Sequence, residues 1–184
     1  MTIRLTLLAP PLGTPAHTVR IGDDRPLDER DRRAVRAIAD GLPPADRRLS
    51  GPAVRCRQTA AVLGPDPVAE PALRGPDLGR WHGRTLDALA AEDPAALAAW
   101  TTDPDAAPHG GESVSALCRR VGAWLAGLPE DTGRVLAVAD PAVARAAVVH
   151  VLSAPAGAFW RIDVLPLSTV RLTGRGGRWN VRMG

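Results

Sequence analysis

Residues 135–141 read Val-Leu-Ala-Val-Ala-Asp-Pro, an unbroken apolar run that stops at an aspartate and a proline. A strand that is apolar on both faces is typical of a sheet covered by helices on both sides. Proline is favoured in the first turn of a helix, so Pro141 predicts a helix directly after this strand, continuing through Val151. A buried strand followed at once by a helix indicates the α/β class.

The rest of the chain alternates strands and helices in the same way. We predict strands at 3–8 and near 48–50, and helices at 27–39, 54–63, 85–91, 94–100 and 112–128. From about 162 to 181 the pattern indicates two or three edge strands, with a hairpin at 174–177. Neither a linker nor an internal repeat interrupts this order, which predicts one domain over residues 1–184.

Composition narrows the classes of function. All 23 cationic side chains are arginine and the net charge is only +3; acidic and basic residues alternate, as in 28–33, so no nucleic-acid partner is predicted. No apolar run reaches the roughly 20 residues of a membrane helix. Cys56 and Cys118 lie far apart and the four histidines lack ligand spacing, so we expect no metal and no cofactor. Without a signal peptide, the expected location is cytoplasmic.

Three segments, in order, carry a family resemblance. Residues 50–60 read S-G-P-A-V-R-C-R-Q-T-A, residues 73–83 read L-R-G-P-D-L-G-R-W-H-G, and residues 108–113 read P-H-G-G-E-S. They are similar to the S-x-P-x-x-R-x-x-Q-T-A, L-x-E-x-x-F-G-x-W-E-G and P-x-G-E-S segments of the histidine phosphatase superfamily, the phosphoglycerate mutase-like proteins. The resemblance implies a three-layer α/β/α sandwich with a mostly parallel central sheet.

The same resemblance implies a phosphohistidine mechanism from which this chain departs. Where the family has R-H-G after its first strand, residues 9–11 are Ala-Pro-Pro. Asp140 stands at the position of the second histidine and Gly75 at that of the acid, while Arg55 remains. Because proline has no ionisable group, phosphohistidine chemistry at the usual position is impossible. The nearest histidine, His17, lies seven residues past Pro10, and its role stays open.

The resemblance implies that the candidate site residues converge at the carboxyl ends of the strands, where α/β folds bind ligands. Arg55 is a candidate ligand for a phosphate or carboxylate, and a salt bridge to Asp140 is the equally weighted alternative. Asp140 is a candidate general base, and it also stands where a helix N-cap belongs. Glu112, Ser113 and Trp81 complete the candidate ligand-binding set, with helix capping as the alternative for Glu112 and Ser113.

His82 and His109 are candidate proton carriers because imidazole titrates near neutral pH. For each, we expect the alternative of a loop histidine exposed to water. The leading hypothesis is a catalytically degenerate protein, without phosphohistidine chemistry, that binds a small anionic ligand or a protein partner, a homodimer included. The other hypothesis is a repurposed enzyme of isomerase, dehydratase or cyclase type. In that enzyme Asp140 and a histidine would carry protons and Arg55 would anchor the substrate.

Overall fold

The computed structural model describes residues 2–12 and 20–183. Its strands are β1 (Ile3–Leu8), β2 (Arg47–Ser50), β3 (Val68–Ala69), β4 (Arg134–Val138), β5 (Thr169–Arg175) and β6 (Arg178–Arg182). Its α-helices are α1 (Glu29–Ala39), α2 (Val54–Leu63), α3 (Leu86–Glu92), α4 (Pro94–Thr102), α5 (Val114–Ala126) and α6 (Pro141–Val151). The predicted bounds of α2 and α6 are confirmed. His17 lies outside the described residues.

All six strands form one sheet in the order β3-β2-β4-β1-β5-β6. The pairs β2–β3, β2–β4 and β1–β4 are parallel, whereas β5 is antiparallel to both β1 and β6. The predicted mostly parallel sheet is therefore confirmed. Its carboxyl edge is formed by the ends of β1, β2 and β4, which places the segments after Leu8, Ser50 and Val138 side by side.

Side chains that alternate along the strands build a separate core on each face of the sheet. One core packs β1, β4 and β5 against α5 and α6, with Leu5, Val135, Leu172, Leu117, Val121 and Val143 among its buried members. The other contains Leu8, Leu136 and Val138 of the strands with Cys56 and Ala60 of α2, and Ile38 of α1 packs against it. Helices on both faces make the three-layer α/β/α arrangement that the resemblance implies.

The carboxyl-terminal strands differ from the expectation in two respects. Only β6 is an edge strand, because β5 pairs with β1 on its other side and places Leu172 in the core. Residues 162–168 form no strand. The backbone turns there, with Leu167 at φ 61, and the Leu167 N–H donates to the Ala9 carbonyl. The hairpin itself is as expected, since Gly176 and Gly177 both adopt the positive φ that a tight two-residue turn requires.

Capping side chains set the helix starts that periodicity alone misplaces. Helix α1 begins at Glu29 because Asp28 and Asp31 form a reciprocal capping box. Helix α5 begins at Val114 because the Ser113 hydroxyl accepts from the Ala116 N–H. None of the helices in residues 2–12 and 20–183 is long and apolar enough to cross a membrane.

Candidate functional site

Backbone hydrogen bonds hold the three strand ends of the carboxyl edge together. The Ala139 N–H donates to the Leu8 carbonyl at 3.1 Å, and the Gly51 N–H donates to the Val138 carbonyl at 2.9 Å. The segments that follow β1, β2 and β4 therefore form one mouth, which is where α/β sheets commonly bind ligands. Pro10 and Pro11 follow β1 here and are buried.

An ion pair between Arg55 and Asp140 lies in this mouth. Arg55 Nη2 donates to Asp140 Oδ2 at 2.7 Å, and the two side chains are only 18% and 20% exposed. Asp140 Oδ1 simultaneously accepts from the Ala142 N–H at 2.9 Å, so the same carboxylate caps α6. Both structural alternatives considered for these residues are therefore present in the molecule. The Arg55 Nε atom is buried and has no hydrogen-bond partner in the described part of the chain.

A second carboxylate, Asp24, covers the amino terminus of α2. Ala53, the residue at the N-cap position, makes no side-chain cap. Instead Asp24 Oδ2 accepts from the Val54 N–H at 2.7 Å, and Oδ1 accepts from the Arg55 N–H at 3.2 Å. The first N–H groups of a helix form a natural oxyanion site. In this chain an oxyanion from its own sequence already fills that site, and no pattern in the sequence singled out Asp24.

Gly75 leaves the space into which the Asp140 carboxylate fits. A Cβ atom at position 75 would lie 3.2 Å from both Cγ and Oδ2 of Asp140. An acidic side chain at position 75 would therefore bring a second carboxylate against the first, and like charges at this distance repel. Gly75 and Asp140 are thus sterically and electrostatically matched to each other.

Glu112 and Ser113 have structural partners. Arg120 Nε and Nη2 donate to the two Glu112 carboxylate oxygens at 2.8 and 2.7 Å, a bidentate pair in which Glu112 is 10% exposed. Arg120 Nη1 also donates to the Ala72 carbonyl, which fastens α5 to the segment before Gly75. Ser113 caps α5, as described above. The capping alternative therefore holds for Ser113, whereas Glu112 is held by an ion pair with Arg120 that was not predicted from the sequence.

Two loops cross at glycines beside this mouth. A Cβ atom on Gly111 would lie 2.1 Å from the Asp77 carbonyl oxygen, and one on Gly79 would lie 2.3 Å from the His109 carbonyl oxygen. The close approach allows the Glu112 N–H to donate to the Asp77 carbonyl at 2.7 Å. The crossing fixes the loop residues of both segments, Trp81 and His109 among them.

His109 is buried, contrary to our expectation of a water-exposed loop histidine. It is 1% exposed, because Trp81 and Trp100 pack edge-on against its ring with centroids 5.1 and 6.2 Å away. Its Nδ1 accepts from the Gly111 N–H at 3.0 Å, so the neutral ring carries its proton on Nε2, which has no partner among the described residues. Burial lowers the pKa of His109 and so favours this neutral form.

The two remaining candidate residues, Trp81 and His82, differ in their exposure to solvent. Trp81 is 2% exposed and contacts both His109 and Trp100, so it belongs to this aromatic cluster. His82 is exposed, as expected for a loop histidine, and its ring lies against Gly22. Within the described residues, no hydrogen bond joins either histidine to Asp140. The structure brings Arg55 and Asp140 together, and it brings Trp81 and His109 together as a separate pair.

The thiol beside Arg55 is buried. Cys56, next to Arg55, is 1% exposed, and burial raises its pKa to about 12, so its thiol stays protonated. Across residues 2–12 and 20–183, no three His, Cys, Asp or Glu side chains are placed to hold a metal ion.

Comparison with known proteins gives a consistent family. A sequence profile described as Histidine phosphatase superfamily (branch 1) matches residues 14–183. No curated protein sequence matches the chain. Among solved structures, a mycobacterial glucosyl-3-phosphoglycerate phosphatase is 26% identical with a TM-score of 0.83, covering 98% of this chain and 97% of that one.

Two further structures are similar. The same mycobacterial phosphatase in complex with inorganic phosphate is 26% identical with a TM-score of 0.81, covering 98% of this chain and 95% of that one. The alpha-ribazole phosphatase from Shigella flexneri is 21% identical with a TM-score of 0.79, covering 97% of this chain and 94% of that one. This last similarity shows the fold alone.

Proposed function

Because this chain belongs to the histidine phosphatase superfamily (branch 1), we propose that it is a member without phosphohistidine chemistry that retains an anion-binding pocket at Arg55. Its fold, shared with solved phosphatases, would then serve ligand binding rather than phosphoryl transfer. The proposed loss of catalysis is argued from three residues of the mouth. Pro10 follows β1, Asp140 follows β4, and Gly75 stands where the family has its acid.

The observation that carries the proposal is that the chain's own carboxylates occupy the groups that would hold a phosphate. Asp140 neutralises Arg55, and Asp24 accepts from the first N–H groups of α2. A phosphoryl group transferring in this mouth would meet two negative charges and, among the residues that the structure describes, no imidazole at either strand end. Electrostatic stabilisation of the transition state needs the reverse arrangement.

Binding of a small anion is supported by what Arg55 keeps. Its Nη2 atom donates to Asp140, and the neighbouring Nε atom is buried without a hydrogen-bond partner among the described residues. Nε and Nη2 together form the edge with which a guanidinium grips a phosphate or carboxylate, so an anion would have to displace Asp140 from Nη2. A small anion would therefore compete with Asp24 and Asp140 for Arg55, which predicts weak, Arg55-dependent binding. The phosphate complex of the similar mycobacterial phosphatase supports inorganic phosphate as the first probe.

The alternative of acid–base chemistry with Asp140 and a histidine gains no support from these contacts. Asp140 already accepts from Arg55 and from the Ala142 N–H, His109 is enclosed by tryptophans, and His82 is exposed. A partner protein or homodimer remains a prediction from the sequence.

The catalytic half of the proposal is tested with p-nitrophenyl phosphate. The expected result is a rate for the purified protein that equals that of Arg55→Gln. The exposed Arg57→Gln, two residues along the same helix, is the matched control for loss of one positive charge. Turnover that persists in Arg57→Gln and disappears in Arg55→Gln would overturn the proposal.

The binding half is tested separately by thermal unfolding in phosphate and in chloride of equal ionic strength. Phosphate should raise the Tm of the native protein and of Arg57→Gln, but not that of Arg55→Gln. Arg55→Lys keeps the charge needed by Asp140 while losing the fork, and it should lose most of the shift. Equal shifts in all four proteins would reject the anion site and leave the catalytic half standing.

A further inference from the structure

The sheet register gathers arginines on a face far from the mouth. On β1, Arg4 and Thr6 point to the same side as Leu8, away from the core that contains Leu5. By the same alternation, Arg134, Arg171 and Arg182 are among the arginines that share this face with Arg4. They come from β1, from β4 and from the hairpin of β5 and β6, three parts of the chain that are far apart in sequence.

Two pairs of like charges stand opposite each other among these four arginines. Arg4 is paired in register with Arg134, and Arg171 is paired with Arg182. Directly opposed like charges on neighbouring strands destabilise a sheet. Asp46 already pairs with Arg134, so the charges that a negatively charged ligand would neutralise are chiefly those of Arg4 and Arg182.

The arginines line a groove of about 190 Å³. Thr6, Thr173 and the prolines of the loop between α1 and β2, Pro43 and Pro44, also line it. Asp46 pairs with Arg134 at 2.7 Å. Arg4 and Arg182 are exposed, and no carboxylate of the described residues forms an ion pair with either.

We propose that this arginine groove is a docking surface for an acidic segment of a partner protein. Guanidinium forks bind carboxylates in bidentate geometry, and several forks on one rigid sheet match a row of Asp or Glu side chains. The groove lies at the amino end of β1, whereas Arg55 and Asp140 lie at the carboxyl end of the sheet. The docking surface is therefore independent of the anion pocket proposed above.

The lining of the groove favours an acidic peptide over a single-stranded nucleic acid. None of the described residues that line it is aromatic, so bases would find no ring there on which to stack. Trp179 of the neighbouring β6 lies against Gly174 and packs on the opposite core. The groove therefore has the positive charge that would attract a nucleic acid but not the aromatic side chains on which single-stranded bases stack.

Fluorescence anisotropy with a labelled hexaglutamate peptide tests the proposal. The native protein should bind at low salt, and Arg4→Gln/Arg182→Gln should bind about tenfold more weakly, the sum of two exposed ion pairs. Arg30→Gln/Arg33→Gln removes two exposed charges from α1 and is the matched control, with expected binding within about twofold of native.

Thermal unfolding distinguishes a variant that has lost binding from one that has lost its fold. Because Arg4→Gln/Arg182→Gln removes one member of each like-charged pair, its Tm should equal or exceed that of the native protein. A lower Tm would identify the arginines as structural and overturn the proposal. No binding by the native protein, or equal losses in both double variants, would also overturn it. Tighter Arg4-dependent binding of oligouridylate than of hexaglutamate would replace the acidic peptide with RNA.

Discussion

At the scale of single residues, Asp140 makes two structural interactions at once. Its Oδ1 atom caps α6, and its Oδ2 atom balances the charge of Arg55, a residue on a helix 85 positions earlier in the chain. The two interactions are separable by chemistry, since an amide retains the capping oxygen but not the negative charge. Their separate contributions to stability can therefore be measured.

We predict that Asp140→Asn lowers the free energy of unfolding by about 1 kcal/mol, because a cap is kept and a half-buried ion pair is lost. Asp140→Ala should lower it by about 2–3 kcal/mol, because the cap is lost as well and Arg55 stays desolvated without a partner. Urea unfolding at neutral pH measures both. Asp46→Asn, which breaks the exposed pair with Arg134, is the control and should cost less than Asp140→Ala. Equal costs for the Asn and Ala variants at position 140 would contradict the assigned cap.

At the scale of elements, the crossing of two loops positions the aromatic cluster. The segments around Asp77 and Gly111 approach so closely that only hydrogen atoms fit where side chains would begin. The contact is backbone against backbone, so a neighbour cannot rotate away to relieve it. The crossing should therefore tolerate a methyl group far less well than an open glycine position does.

We predict that Gly111→Ala lowers the free energy of unfolding by at least about 2 kcal/mol, since a Cβ at 2.1 Å from the Asp77 oxygen must push the loops apart. The same shift should disturb Trp81 and change the tryptophan fluorescence of the folded protein. Gly157→Ala, where nothing lies within 4 Å of the added Cβ, is the matched control and should change stability little. A Gly111→Ala protein with native stability and fluorescence would refute the tight crossing.

For the molecule as a whole, the sequence predicts those elements whose formation depends on neighbouring residues. The apolar run at 135–139 and Pro141 predict β4 and α6 because strand burial and helix initiation are encoded in adjacent residues. The position of β5 between β1 and β6 depends on long-range pairing, and no residue near it records which strand is its neighbour.

The residues of the candidate site also differ in whether the local sequence predicts them. Arg55 and Asp140 are predictable because a motif and a strand end mark them, and their contact follows from strand order. Asp24 lies 30 residues before the Val54 N–H that it caps, so its role depends on a fold that the local sequence does not specify. The alternating charges of the sequence likewise conceal the arginine groove, which forms only when four strands come into register.

The pH dependence of stability is the property of the whole fold that best tests the buried histidine. Burial lowers the pKa of His109, so between pH 7 and 5 the unfolded chain binds a proton there that the folded chain resists. The free energy of unfolding should fall as pH drops through the unfolded value near 6.5, by up to about 1.4 kcal/mol per pH unit from this group. Asp46, whose pKa is lowered to about 2 by Arg134, loses its contribution only below about pH 4, outside this window.

Chemical denaturation at pH 7 and pH 5.5 measures the effect, with His109→Asn as the test variant. The Asn amide oxygen can still accept from the Gly111 N–H but cannot titrate, so the variant is less stable at both values and loses less on acidification than the native protein. His82→Asn makes the same substitution at an exposed position and is the control. If the native protein and His109→Asn lost equal stability between the two pH values, His109 would have to take up its proton without leaving the aromatic cluster. That proton would go to Nδ1, which would then have to give up the hydrogen bond that it accepts from the Gly111 N–H.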